Sequence, residues 1–350
     1  MSRTIDTQTT NITQDKILAK VSDGILDGNL ITSLFISRGR KWVGEKLKKN
    51  LKYQKSSAMG WYTGMGNFNT TQQKTRVQME WTPSSVYGGV TLPYLELSIN
   101  KSMPVINQEA LEMQSAGQDL LDNIGDAFYG DGTSNQCDGL KNIVDDGSVA
   151  ASYAGLTRSS YDALDADVST SVGSITLDTL GASIDGVNIG SQEPDIIITT
   201  KTLWRAIEDL LFPSVTSTYG AVGGVRRSKL TRMGEVGAGQ SLKGLAGYTA
   251  IWYRGIPIVK DAKCTSGYIY YLNRNFLYWS GLPHYKHGSV NLGGGLIEGV
   301  DNPVPKNHGL AWTGMKEPIN QDGETGQFIL YGQLVCELPR LQAVDQGCTA

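Results

Sequence analysis

The spacing of apolar residues divides the chain into segments of different kinds. Val77, Met79 and Trp81 alternate with Gln78 and Glu80, the two-residue period of a half-buried strand. Upstream come "GWYTGMGNF" and then the polar tract "NTTQQKT", which reads as a loop tip, so residues 57–92 together predict a long two-stranded excursion. A lone hairpin is at best marginally stable in water, so this one needs a surface to lie on, either its own domain or another subunit. "PYLELSINKS" (93–102) predicts a further strand, with Leu95, Leu97 and Ile99 on one side. Met113, Ala116, Leu120, Ile124, Ala127 and Phe128 then recur at steps of three and four. With Asn107 as N-cap and Glu109 and Glu112 in the first turns, they predict one helix over 107–129, roughly 35 Å long.

The second half mixes elements. "GLKNIV" predicts a short strand, "SSYDALDADV" a short helical element and "ITLDTLGASIDGV" a helix with Leu177, Leu180 and Ile184 on one face. "PDIIITT" (194–200) reads as a buried strand, and "KTLWRAIEDLLF" as a helix ended by Pro213. A long glycine-rich tract follows, carrying Arg226, Arg227, Lys229 and Arg232. "TAIWYRGIPIVKD" predicts strands with a tight turn at Arg254-Gly255, and "GYIYYLNRNFLYWSG" predicts strand, turn and strand. "GLAWTGMKEPI" and "QFILYGQLVCEL" predict two more, separated by the turn segment "NQDGETG".

Composition fits this picture. A chain of 350 residues, 40% hydrophobic, can bury a sizeable core, and 42 glycines against 11 prolines favour turns and strands over a helical bundle. The net charge of −3 exerts no overall pull toward nucleic acid or membrane, but it is unevenly spread. Residues 37–56 carry Arg38, Arg40, Lys41, Lys46, Lys48, Lys49, Lys52 and Lys55 against Glu45 alone, a net of +7 that leaves −10 elsewhere. That asymmetry points to an acidic partner surface or, less strongly, to nucleic acid; a solvated helix with Trp42, Leu47 and Leu51 packed inward is the plain alternative. The start, "MSRTIDTQTTNITQDK", is polar, no apolar run approaches the length of a membrane span, and the four scattered cysteines make no CxxC pair. Free thiols in a reducing cytoplasm are expected.

Candidate chemistry is sparse. "DAFYGDGTSNQCDGL" (126–140) has the look of a phosphate or metal loop, yet it follows the C-terminus of the predicted helix, where carbonyls are exposed and anions repelled. Asp131 and Asp138 have no closing Glu for a calcium loop, so the stretch reads as a left-handed cap at Gly130 and a change of direction. His284 and His287 lack the further ligands of a zinc site and read as an exposed turn. "GEVGAGQSLKG" and "NLGGGLIEG" both miss the third glycine of a dinucleotide loop, having Leu242 and Glu298 at that place. No GxSxG, GxxxxGK[ST] or HExxH occurs. No catalytic residue, cofactor or metal is assigned.

The order of elements, with "AFYGDGTSNQCDGLKNIV", "PDIIITTKTLWRAIEDLL" and "YRGIPIVKDAKCTSGYIYYLNRNFLYW" at its centre, resembles the major capsid proteins of tailed bacteriophages, the fold named for Hong Kong 97 phage, over about residues 30–345. The resemblance implies an α+β phage capsid fold. Its parts would be an N-terminal arm (1–56), an extended β-hairpin loop (57–92) reaching over a neighbouring subunit, and a peripheral domain (93–150) with a long spine helix (107–129). An axial domain (151–262) and a peripheral return with a C-terminal sheet (263–350) would complete it. It implies self-assembly into hexamers and pentamers of a head shell around double-stranded DNA, assembled in the host cytoplasm, with a separate scaffolding protein, a portal and a possible decoration protein. Expected subunit contacts are Trp61, Tyr62, Lys74, Arg76, Val77, Met79, Trp81, Arg226, Arg227, Lys229 and Arg232, with arm contacts at Arg38, Arg40, Lys41, Lys48 and Lys49. Some relatives join subunits by a Lys–Asn isopeptide bond; Lys74 lies near the loop tip, but no partner Asn or catalytic Glu can be assigned. An encapsulin-like compartment shares the fold and is the alternative; a soluble α/β hydrolase or binding protein is the reading from another class.

Overall fold

A computed structural model describes residues 30–36, 39–102, 108–133, 135–211, 250–284 and 310–350. The expectations for Asn107, Arg38, His287 and the tract with Arg226, Arg227, Lys229 and Arg232 lie outside the described residues. In chain order come helix α1 (Leu30–Ile36), strand β1 (Arg40–Lys41), the pair β2 (Leu47–Lys52) and β3 (Arg76–Trp81), and strand β4 (Ser84–Pro93). Helices α2 (Tyr94–Ser102), α3 (Gln108–Phe128) and α4 (Leu140–Ile143) follow, then short strands β5 (Ser152–Tyr153), β6 (Leu156–Thr157), β7 (Asp167–Ser169) and β8 (Gly173–Ser174). Helix α5 (Leu177–Val187), strand β9 (Ile196–Thr199) and helix α6 (Lys201–Leu211) lead to β10 (Ala250–Tyr253), β11 (Ile256–Lys260), β12 (Ile269–Leu272) and β13 (Leu277–Gly281). Strands β14 (Leu310–Trp312), β15 (Gly323–Cys336), β16 (Ala343–Asp345) and β17 (Cys348–Thr349) close the chain.

Strand β15 organises the first sheet. One edge pairs antiparallel with β4 from Gly323↔Pro93 to Gly332↔Ser84, and the other carries β14 and β13, with β1 parallel to β13 beyond. The spine helix α3 lies on this sheet through Leu120, Ile124, Ala127 and Phe128, all buried. Phe128 meets Phe35 of α1 edge-on at 6.1 Å and Trp279 of β13 at 5.5 Å, so three elements share one aromatic contact. Gly332 of β15 is required here: a Cβ would fall on the Trp279 ring and the Ser280 carbonyl.

The second sheet runs β10–β11–β9–β12–β16–β7 and is covered on both faces. Ile197, Ile258, Ile269 and Tyr271 pack beneath Leu180, Ile184, Leu203 and Ile207 of α5 and α6. Ile196, Ile198, Val259, Tyr270 and Val344 face the core shared with the first sheet. This explains why β9 reads as an unbroken isoleucine run: neither side of it meets water. Strands from both sides of residue 262 contribute, because β12 and β16 pair into the sheet that holds β9 and β11.

Several local expectations change. Residues 94–102 form a helix, not a strand; Leu95 and Ile99 then fall four apart and both are exposed. "GLKNIV" holds one helical turn, α4, and "SSYDALDADV" two 3₁₀ turns before β7. Residues 40–41 and 47–52 are strands joined by an irregular stretch, not a helix, although Trp42 and Leu51 do pack inward. β12 and β13 lie in different sheets, so "NRNF" is a crossing between layers and not a hairpin turn. The stretch 130–138 does redirect the chain, but the left-handed residues are Gly132 and Asn135 and not Gly130. Gly139 lets the strand of chain after it lie flat on the end of α3, since a Cβ there would fall on the carbonyls of Ala127 and Gly130.

Beyond α4 sits a polar hub that sequence spacing does not reveal. Arg158, buried, donates from Nη1 to the carbonyls of Asp145 (2.8 Å) and Leu164, from Nη2 to those of Asn142 and Ile143, and from Nε to that of Ala150. It thereby satisfies carbonyls at the end of α4 that no helical N–H reaches. The Asp145 carboxylate, 4.0 Å from Arg158 Nε, accepts from the N–H groups of Gly147, Val149 and Ala150 and from the Ser148 hydroxyl; these bonds hold its carboxyl below the usual range despite burial. The four cysteines are all buried and unpaired. Burial pushes the thiols of Cys137, Cys336 and Cys348 up to about 12, and that of Cys264 higher still.

Two outcomes follow. Arg158→Met, which keeps the apolar stem and removes the guanidinium, is expected to cost about 3–5 kcal/mol in urea unfolding, since it leaves several buried carbonyls without their donor and the buried Asp145 carboxylate without its neighbouring cation. A water-soluble thiol reagent at pH 8 is expected to leave the folded protein untouched and to titrate all four cysteines in concentrated guanidinium; a thiol reacting within minutes in the folded state contradicts the packing described.

Candidate intersubunit surface

The hairpin has a fixed foot and an unsupported tip. At the foot β2 and β3 pair antiparallel from Leu47↔Trp81 to Lys52↔Arg76. One face holds Leu47, Leu51, Val77, Met79 and Trp81, turned into the body; Met79 and Trp81 are fully buried there. Trp81 Nε1 donates to the Tyr153 hydroxyl at 3.2 Å, and that hydroxyl bonds both the N–H and the carbonyl of Cys336 on β15. Glu80 N–H donates to the Ala154 carbonyl. Of the contact residues expected from sequence, Met79 and Trp81 therefore belong to this chain's own core, because the alternating face they define is the one that seats the hairpin.

The opposite face carries charge. Glu80 receives Lys46 and Lys48, each at 2.9 Å, and hydrogen bonds from Lys48 and then Lys46 hold its carboxyl below the usual range. On the body-facing side Lys49, directly opposite Met79, reaches Glu337 at the end of β15, which lies 3.6 Å from Arg40, whose guanidinium also sits 3.6 Å over the Tyr278 ring. So Arg40, Lys48 and Lys49, expected as arm contacts, are anchored within the chain by two carboxylates that sequence could not pair with them. Near the top of the hairpin the situation reverses. Lys52 stands directly opposite Arg76, a like-charge cross-strand pair, with Lys55 and Lys74 close in sequence; no ion pair is made by any of the four among the described residues. Lys41, like these, is exposed.

Above the foot, residues 53–75 form no strand. Tyr53 Oη and Gln54 Nε2 donate to the Lys74 carbonyl, Tyr53 meets the ring of Tyr161 at 5.0 Å, and Ser57 bonds Gln73. Every residue from 57 to 72 is exposed, including Met59, Trp61, Tyr62, Met65 and Phe68. Tyr62 and Phe68 touch edge-on at 4.9 Å, but among the described residues none of the five joins a hydrophobic core cluster. Trp61 and Tyr62 were legible as candidates; Met59, Met65 and Phe68 were not, although apolar residues spaced by glycines with no strand or helix period are the signal that marks them. The excursion thus rises earlier than expected, on β2 at Leu47, while Ser84–Pro93 belongs to the first sheet. His284, half-buried, stacks on Tyr331 at 5.6 Å.

No protein-family model matches the chain, and no curated protein does. Solved structures do. The capsid asymmetric unit of cyanophage A-1(L) superposes with a TM-score of 0.73 at 16% identity, covering 99% of this chain and 100% of the other. The capsid of the native GTA particle gives 0.62 at 6% identity, covering 98% of each chain. The SrpI encapsulin of Synechococcus elongatus PCC 7942 gives 0.56 at 12% identity, covering 99% of this chain and 96% of that one. Across nearly its whole length, the chain has the fold of phage capsid and encapsulin shell proteins.

Proposed function

We propose that this chain is the major capsid protein of a tailed bacteriophage, a non-enzymatic tile that closes into hexamers and pentamers of a head shell around double-stranded DNA. The observation that carries the reading is the hairpin, held rigidly at its foot while Met59, Trp61, Tyr62, Met65 and Phe68 stand in solvent. Fully burying one such side chain contributes about 1.5–3 kcal/mol, so five left exposed call for a surface elsewhere. Lys52, Arg76, Lys55 and Lys74 ask that this surface be acidic, and a second copy of a chain that is −10 outside residues 37–56 meets that demand. A tip on one copy and an acidic receiving surface on the next make a head-to-tail contact, which closes into rings. Repeated around a ring, modest contacts add to high avidity. A separate scaffolding protein, a portal and a decoration protein would be the further partners, and the virion, built in the host cytoplasm, the destination. The shared fold of the SrpI encapsulin supports a second reading, a compartment around protein cargo, which the contents of purified shells decide: nuclease-protected duplex DNA for the first, a protein for the second.

Replacing Met59, Trp61 and Phe68 together with Ser is expected to leave the circular dichroism and urea midpoint of the isolated subunit unchanged and to abolish shells in negative-stain micrographs; shells of normal size and yield from this variant would sink the proposal. Lys52→Glu has opposite effects on the two states. It removes a like-charge pair, so the isolated subunit gains roughly 0.2–1 kcal/mol, while the assembled shell, tested by its dissociation midpoint in urea, loses stability.

A further inference from the structure

The β4–β15 ladder has the hairpin at one end and an exposed, unmatched surface at the other. Its Ser84↔Gly332 end lies beside the hairpin's foot, where Trp81 and Tyr153 reach Cys336. Its Pro93↔Gly323 end, about 30 Å away, carries the start of α2 and the turn between β14 and β15. These two parts are tied together: the Tyr94 N–H donates to the Asp322 carbonyl at 3.2 Å, and Lys316 bridges Thr325. Three apolar side chains stand in solvent there. Leu95 and Ile99 are four apart on one face of α2, and Ile319 is in the turn. With them come four carboxylates, Glu96, Glu317, Asp322 and Glu324, against Lys316 and, in the last turn of α2, Lys101. None of the four makes an ion pair among the described residues, and Glu96 accepts only from the Gln108 side chain, at 3.2 Å. Desolvation and then the charges of Glu317, Glu324 and Asp322 hold the Tyr94 phenol above its usual range, so these three carboxylates gather near one ring.

We propose that this end of the ladder is the seat on which the hairpin tip of a second copy rests. The proposal rests on the reading of the tip as an intersubunit contact and adds where the tip lands. Three observations favour that occupant. Residues 52–76 hold Lys52, Lys55, Lys74 and Arg76 and no acid, so tip and seat are opposite in sign, and both combine charge with bare apolar side chains. Within one copy neither covers the other, since Trp61, Met65, Leu95 and Ile319 are all exposed. Each copy carries one tip and one seat on different surfaces, which is a heterologous contact that passes from copy to copy and closes into a ring. Burial of the apolar side chains supplies affinity, while the charges steer the tip to this end and reject like-charged surfaces.

The test is cross-linking in assembled shells. Asn67→Cys, beside Phe68, and Asn320→Cys, beside Ile319, are placed in one chain; both positions are exposed, and the four native thiols are buried. A short bis-maleimide is expected to join copies into covalent pentamers and hexamers on denaturing gels, while either substitution alone leaves monomers. Shells of the double variant that yield only monomers overturn the placement, as do dimers from either single variant, which put like parts together. The serine variant of Met59, Trp61 and Phe68 separates the two readings. If it still makes no shells, the tip contact stands and lands elsewhere; if it assembles, the tip contact itself fails. Charge reversal is the second readout. Glu317→Lys with Asp322→Lys is expected to leave the urea midpoint of the isolated subunit unchanged and to cut shell yield roughly tenfold or more, and adding Lys52→Glu with Lys74→Glu is expected to restore most of it. Unchanged yield from Glu317→Lys with Asp322→Lys overturns the placement as well.

Discussion

The ladder between β4 and β15 is the constraint on which the rest depends. It is the longest strand pairing among the described residues, and β4 is flanked by the two parts that extend outward. Trp81, the last residue of β3, lies three positions before Ser84, and α2 begins at Tyr94, immediately after Pro93. The direction of β4 therefore sets where the hairpin leaves the body and where the helical segment returns. Because α3 packs across β4, the same strand fixes the axis of the spine helix. Gly332 on β15 is where this layer admits the Trp279 ring, and a side chain there would separate the strand from the core that holds Phe128.

Buried carboxylates join parts of the chain that are distant in sequence. Asp261 receives the N–H of Ile31, the Tyr129 hydroxyl and the N–H of Lys263, so the first turn of α1, the end of α3 and the end of β11 meet at one group. Lys263 reaches back to Asp122 and Asp126 of α3. Asp345 takes Tyr271 and Ser183, tying the second sheet to α5. Desolvation raises the carboxyls of Asp261 and Asp345 above the usual range, and the donors offset only part of it. Such groups add less net stability than apolar packing would, but they accept one geometry only, which fixes how the two sheets and their helices meet.

What sequence pattern conveyed is what period can encode. The spine helix, the buried run Ile196–Thr199, α6 and the turn at Arg254-Gly255 were all legible, because each places its apolar residues or its positive φ by local rules. The stretch 94–102 was misleading because Leu95, Leu97 and Ile99 satisfy a two-residue period while Leu95 and Ile99 also satisfy a four-residue one; tertiary context, not spacing, decides between them. The split of β12 and β13 between sheets has no local signal. Nor has the Arg158–Asp145 hub, or the pairing of Lys49 with Glu337, since all three depend on contacts across long sequence separations.

The basic segment shows why position matters more than total charge. Read as composition, residues 37–56 form a cationic block that any polyanion would satisfy. In the fold that block is divided. Arg40, Lys46, Lys48 and Lys49 are matched by Glu80 and Glu337, and their charge serves to fasten the hairpin's foot. The unmatched part sits higher, where Lys52 faces Arg76 just below an apolar tip. A polyanion such as duplex DNA offers phosphate but no apolar face, so it answers the charge and leaves Trp61 and Phe68 wet. Another copy of the chain offers carboxylates together with exposed apolar residues such as Leu95 and Ile99, and answers both. On the proposed reading the like-charge pair has a purpose that its local cost conceals: its charge is left to be neutralised by a neighbouring copy.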